Sequence, residues 1–154
     1  MKTQITIVNL QKKIPIQPIR LTRIIRKILS REHLTGSSLS VVFLGNRQIT
    51  SLNKKYLKKN RSTDVLAFDL RNGTCLPHKT RIRPQKSKIL NGEIIISTDA
   101  VIKNSKTYQT TPAQELILYI LHGILHLSGY DDHGAHDIKR MRRKERELLS
   151  FLKI

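Results

Sequence analysis

Apolar and polar positions recur with two different periods along this chain, and the switches between them divide it into elements. Ile5 and Ile7 fall on one side of Thr3–Asn9, the two-residue period of a strand. Pro18 suits a first helical position. After it Leu21, Ile24, Ile25, Ile28 and Leu29 recur at helical spacing, with Arg20, Arg23, Arg26 and Lys27 between them. That pattern predicts an amphipathic helix with a basic outer face. Thr35–Ser38 reads as a turn, and Leu39, Val41 and Phe43 alternate in a second strand. Asn46 is placed to cap a second helix whose stripe is Ile49, Leu52 and Tyr56. Asp64–Leu70, rich in β-formers, predicts a third strand. Glu93–Ser97 predicts a fourth, and its continuous apolar centre points to burial on both faces. Between these two, Arg71–Asn91 carries Gly73, Pro77, Pro84 and several bases without one acid, and reads as a mobile basic loop. Thr98 or Asp99 is placed to cap a short third helix.

A stronger start signal follows. Thr111 fits an N-cap, Pro112 the first helical position and Gln114 the third, the arrangement of a capping box. The helix runs through Leu116, Ile117, Ile120, Leu121, Ile124 and Leu125, apolar nearly all round, so it is expected to be the buried central helix. Gly129 suits a left-handed stop. A last helix follows Gly134, with Ile138, Met141, Leu148, Leu149 and Leu152 inward. Lys139, Arg140, Arg142, Arg143, Lys144 and Arg146 are expected outward. The interspersed elements predict an α+β fold over 1–154, one domain with a small mixed sheet of about four strands covered by helices.

Length and composition narrow the class. At 154 residues the chain has room for a real core without disulfides. Its longest relevant apolar run, Leu116–Leu121, falls far short of the roughly 20 residues of a membrane span. The N-terminal stretch lacks the apolar centre of a signal peptide. The single cysteine, Cys75, fits a reducing cytoplasm. A net charge of +18 points to a polyanion partner, nucleic acid before membrane. The excess is concentrated early: before Asp64 the sole acid is Glu32. With three Phe, four Tyr and no Trp, the chain is poorly supplied for a base-stacking sheet.

The candidate chemistry lies in Leu121–His133, LHGILHLSGYDDH. His122 and His126, four apart on a helix, share one face and can reach one metal ion. A third ligand from Asp131, Asp132 or His133, after the Gly129 turn, would complete a three-ligand site with an open fourth position, the catalytic arrangement. Zinc suits such ligands. In the HExxH peptidases a Glu follows the first His as general base. Here that residue is Gly123. Glu115, seven residues before His122, falls on the same stripe. It is placed either to orient a ligand His or accept a proton through water, or simply to favour the helix dipole.

HGILHLSGYDDH resembles the HGxLHLxGYDH signature of the YbeY family of bacterial endoribonucleases. Three further stretches agree in order: Leu52-Asn53-x-x-Tyr56 resembles LNxxYR, Thr63–Phe68 resembles TDVLSF, and Gly92–Ser97 resembles GDIxIS. The resemblance implies an α+β fold with a zincin-like metal-bearing helix and one zinc ion (Zn2+) held by three side chains. It implies a cytoplasmic enzyme that cleaves single-stranded RNA, acting with the ribosome in maturing the 3′ end of 16S rRNA and in ribosome quality control. There are two departures. The family's third ligand is a His six residues after the second, where this chain has Asp132, with His133 one further on. Either side chain suits zinc, and Asp132 keeps the register from Gly129. The family also has an Arg after the Tyr, thought to contact the RNA phosphate, where this chain has Leu57. Lys58, Lys59 or Arg61 are the candidates to replace it, or else they are simply the solvated basic end of a helix.

Both lines of reasoning lead to a metal-dependent endoribonuclease. A basic face gathers RNA by its phosphates, and the metal polarises a phosphoryl oxygen. The nucleophile is left open between water and the RNA 2′-hydroxyl. The alternatives are a non-catalytic, metal-stabilised rRNA-binding factor and, against Gly123 and the charge, a zinc metallopeptidase. No membrane partner is expected, since a long amphipathic helix with a large apolar face is missing.

Overall fold

The structure is a computed structural model and describes residues 2–60, 63–71, 76–77 and 89–154. The elements in chain order are β1 (Gln4–Asn9), α1 (Pro18–Arg31), β2 (Ser38–Leu44), α2 (Asn46–Leu57), β3 (Val65–Asp69), β4 (Leu76–Pro77), β5 (Asn91–Ser97), α3 (Thr98–Thr107), α4 (Pro112–Leu127) and α5 (Ala135–Leu152). The strands form one mixed sheet in the order β1-β2-β5-β3-β4. β1, β2 and β5 run parallel, with Val41 opposite Ile94. β3 lies antiparallel to the other side of β5, with Ala67 opposite Ile94, and β4 is antiparallel to β3. Four strands of five to seven residues match the α+β expectation, and the two-residue β4 is an addition. It falls inside the stretch expected to be loop; two residues, one of them proline, carry no alternation to read. Cys75 and most of that expected loop lie outside the described residues.

Alternation along the strands feeds two cores. Val41, Phe43, Ala67, Ile94 and Ile96 pack with Ile25 and Ile28 of α1 and with Leu121, Ile124 and Leu125 of α4. Leu44, Leu66, Phe68 and Ile95 pack with Ile49 of α2 on the opposite face. β5 is thus buried on both sides, as its apolar run predicts.

Two helix starts differ from expectation. Gly45, not Asn46, caps α2. Asn46 is the first helical residue, and its backbone N–H donates to Asp99 Oδ2 at 2.6 Å. Ser97, not Thr98 or Asp99, caps α3: its Oγ accepts from the Ala100 N–H at 3.2 Å and donates to Asn46 Oδ1 at 2.7 Å. Asp99 also pairs with Lys13. The two helix N-termini share one polar knot, so local cap preferences yield to a tertiary arrangement. In α5, Lys144 is not an outward base: its Nζ meets Glu32 Oε1 of α1 at 3.0 Å and Glu147 Oε1 at 3.1 Å. Burial alone would lower the Lys144 pKa, but the hydrogen bonds to these two carboxylates more than offset it and raise it. Among the described residues no helix is long and apolar enough to cross a membrane.

Candidate metal centre

α4 begins as its sequence dictates. Thr111 Oγ1 accepts from the Gln114 N–H at 3.2 Å, and Gln114 Oε1 accepts from the Thr111 N–H at 2.9 Å. Its apolar sides are buried against the sheet and its neighbours. His122 and His126 occupy the face that opens on a cleft of about 1030 Å³. Gly123, between them, faces the sheet. A Cβ there would lie 2.7 Å from Ile94 Cγ2, so the helix approaches β5 so closely that any side chain would have to displace Ile94. The position that carries the general base in HExxH peptidases therefore has no room for one unless Ile94 moves.

The chain stops α4 at Gly129, whose φ of +99° is left-handed. The Tyr130 N–H donates to Leu125 O at 3.0 Å, and the Arg140 guanidinium lies 5.1 Å over the Tyr130 ring. This turn returns Asp132 to the two imidazoles. His122 Nε2 and His126 Nε2 are 2.9 Å apart, and Asp132 Oδ2 lies 3.6 Å from each. A point equidistant from these three atoms is about 2.0 Å from each, which is the zinc–nitrogen and zinc–oxygen bond length.

The outer ring nitrogens set the tautomers. His126 Nδ1 donates to the Tyr130 carbonyl at 3.1 Å, and His122 Nδ1 donates to Glu145 Oε1 of α5 at 2.6 Å. With both protons on Nδ1, the two Nε2 lone pairs converge, and a carboxylate oxygen joins them. Three acceptors facing one point repel each other unless a cation sits among them. The residues present therefore fit a divalent metal.

Sequence-predicted residues fall in different places. His122, His126 and Asp132 are brought together. His133 turns aside: its Nδ1 pairs with Asp131, and it stands 4.0 Å from Asp132 Oδ1. Asp131, Asp132 and His133 form a second, more exposed grouping of possible donors. Glu115 is buried and lines the same cleft, but its Oε1 accepts from the Thr110 hydroxyl at 2.6 Å rather than from a histidine. Leu57 also lines the cleft. Lys58, the left-handed C-cap of α2 at φ 54°, is exposed and not among the described lining residues. Arg61 lies outside the described residues.

Glu145 is the functional residue that sequence reasoning missed. It had a signal, since an acid at 145 interrupts the inward stripe of Ile138, Met141, Leu148 and Leu152. The charge of the cleft was missed as well. Asp64, Glu115, Asp132 and Glu145 line it, and Arg142 is the one Lys or Arg among its described lining residues. In a chain of net charge +18 the described lining of the cleft is acidic.

Fold and site together define a small α+β protein with an acid-lined cleft and a His/Asp group able to hold a divalent metal. The chain belongs to the Endoribonuclease YbeY family, whose model matches residues 6–153. It is 33% identical to the Endoribonuclease YbeY of Geobacter metallireducens over 97% of this chain and 95% of that one. It is 34% identical to that of Thermodesulfovibrio yellowstonii over 99% of each. The solution structure of TM1509 from Thermotoga maritima shares the fold, with a TM-score of 0.61 at 21% identity, over 97% of this chain and 92% of that one.

Proposed function

We propose that this protein is a zinc-dependent endoribonuclease of single-stranded RNA, acting in the cytoplasm with the ribosome on the 3′ end of 16S rRNA and in ribosome quality control. Membership of a family named for endoribonuclease activity supports the reaction class. The observation that carries the zinc site is the convergence of three acceptor atoms, two Nε2 and Asp132 Oδ2, at the floor of an open cleft. His122, His126 and Asp132 would hold the ion. When bound, zinc supplies a Lewis acid for a phosphoryl oxygen and lowers the pKa of water.

The chain's own residues do the rest. Glu145 and the Tyr130 carbonyl hold the two imidazoles in the tautomer and orientation that leave Nε2 available. Arg142, on the cleft wall, is placed to steady the scissile phosphate. Lys139, Arg142, Arg143 and Arg146 recur at i, i+3, i+4 and i+7 along α5 and are all exposed. They make a basic rim that gathers the RNA backbone without reading its sequence. Lys58, beside the cleft-lining Leu57, is proposed to add a phosphate contact from the α2 side, and Arg61 is proposed as a second basic contact. Glu115 faces the substrate rather than the zinc.

Metal analysis combined with RNA cleavage tests this reading. The purified protein should carry about one zinc per chain, cut single-stranded RNA, lose cutting to a chelator and regain it with zinc. The double variant His122→Ala, His126→Ala should do neither. RNA cleavage that survives complete removal of metal would overturn it. A folded, metal-loaded protein that binds rRNA and cuts nothing would establish the non-catalytic alternative instead. His133→Ala should keep its zinc and Asp132→Ala should lose it; the reverse pattern would move the third ligand to His133.

A further inference from the structure

At the end of the cleft away from the histidines, Glu115 has surroundings that the zinc chemistry does not use. It sits in the first turn of α4 and is only 4% exposed, yet it lines the cleft. Thr110 holds Oε1, and Oε2 has no hydrogen-bond partner among the described residues. No Lys or Arg among them pairs with it. Oε2 is not among the enclosed atoms left without a partner, so it opens on the cleft and can take a donor arriving there. One turn along, the Tyr119 hydroxyl oxygen accepts from Asn104 Nδ2, whose amide also reaches Asp64 Oδ2 at 3.4 Å. The phenol's own proton is left to donate into the cleft. Burial raises the Tyr119 pKa despite the opposing hydrogen bond from Asn104, so the hydroxyl stays protonated.

The ligand follows from what this pair accepts and rejects. A phosphate is repelled by Glu115 and Asp64, so the backbone does not lie here. Neither group of possible metal donors among the described residues includes Glu115. A nucleobase edge fits. A carboxylate accepts from the exocyclic amine of cytosine or adenine, or from the adjacent ring N–H and amine of guanine, while the Tyr119 hydroxyl donates to a ring nitrogen or carbonyl. Uracil offers a single N–H flanked by two carbonyls, which a carboxylate repels. Glu115 stands seven residues from His122, about 10 Å along the helix. That is the reach from a phosphate at the histidines to the edge of a neighbouring base.

We propose that Glu115 and Tyr119 form a base-recognition subsite that takes an amino-bearing nucleobase beside the scissile phosphate and rejects uracil. The proposal deepens the endoribonuclease reading and rests on it. To test it, oligouridines carrying one adenosine, cytidine or guanosine are incubated with the zinc-loaded protein. Cuts are mapped to the nucleotide, and binding of the same RNAs is followed by fluorescence anisotropy. The wild type should cut at a fixed offset from the single amino-bearing base, on the order of 10-fold faster than in oligouridine, and bind those RNAs more tightly. Glu115→Gln should bring the rates to near equality, because the amide also offers a donor to uracil. Tyr119→Phe should reduce the preference in part. Thermal melts and zinc content serve as checks on both variants. Cutting and binding that ignore the inserted base, or a Glu115→Gln variant with the full preference, would overturn the subsite. If nothing is cut, the nuclease reading fails, and equal binding of all four RNAs then also rejects the subsite.

Discussion

Replacing Glu145 should weaken zinc binding without touching a ligand. Its Oε1 lies 2.6 Å from His122 Nδ1, a short charge-assisted bond, and the two side chains are 13% and 27% exposed. Water cannot freely take the carboxylate's place, so Glu145→Ala leaves Nδ1–H poorly satisfied and the ring free to rotate. Loss of such an outer partner costs about 10- to 100-fold in metal affinity, or about 1.4–2.8 kcal/mol. Glu145→Gln keeps an acceptor oxygen but removes the charge. Its loss should be about half as large in free energy. Competition with a chromophoric chelator gives the affinity, and thermal melts of the metal-free proteins separate it from unfolding. Wild-type zinc affinity in a well-folded Glu145→Ala variant would refute the claim that this carboxylate sets the His122 ring.

Three further outcomes follow from the same geometry. Gly123→Ala should destabilise by about 1–3 kcal/mol in a denaturant titration, because its Cβ would sit 2.7 Å from Ile94 Cγ2; in an Ile94→Ala background the added cost should shrink. Gly129→Ala meets no neighbour within 4 Å. It should still cost about 1–2 kcal/mol through its left-handed φ and lower zinc affinity by displacing Asp132. The Lys13 hydrogen bond first, and the Asn46 N–H second, hold the Asp99 carboxyl below its ordinary pKa. A depressed folded-state value stabilises above the ordinary carboxylate range, and that stability is lost as pH falls through the folded value. Unfolding free energies of wild type and Asp99→Asn from denaturant titration should therefore differ near neutrality, by on the order of 1 kcal/mol, and converge in acid. A constant gap from neutral to strongly acidic pH would refute the assignment.

Much of this protein is legible without coordinates, wherever neighbours in sequence are neighbours in space. The helical period and the Thr111–Gln114 box define α4, and the four-residue spacing puts His122 and His126 on one face, because helix geometry is local. The apolar run Ile94–Ile96 predicts a strand buried on both sides. What a one-dimensional pattern does not hold is contact between distant segments. Ser97, Asn46, Asp99 and Lys13 share one polar knot, so Gly45 and Ser97 take the caps that Asn46 and Thr98 or Asp99 were expected to supply. Lys144 turns inward because Glu32 of α1 waits beside it. Glu145 reaches His122 only because α5 packs on α4. Asp132, and not His133, meets the imidazoles because the left-handed turn at Gly129 directs one side chain back and the other away. The overall charge is a sum over the chain, while the acid lining of the cleft is a matter of where four carboxylates end up. The sequence therefore determined the elements and the histidine pair, through local periodicity. Only tertiary packing decided which acidic side chain meets the histidine pair, which groups hold the two rings, and the polarity of the cleft they face.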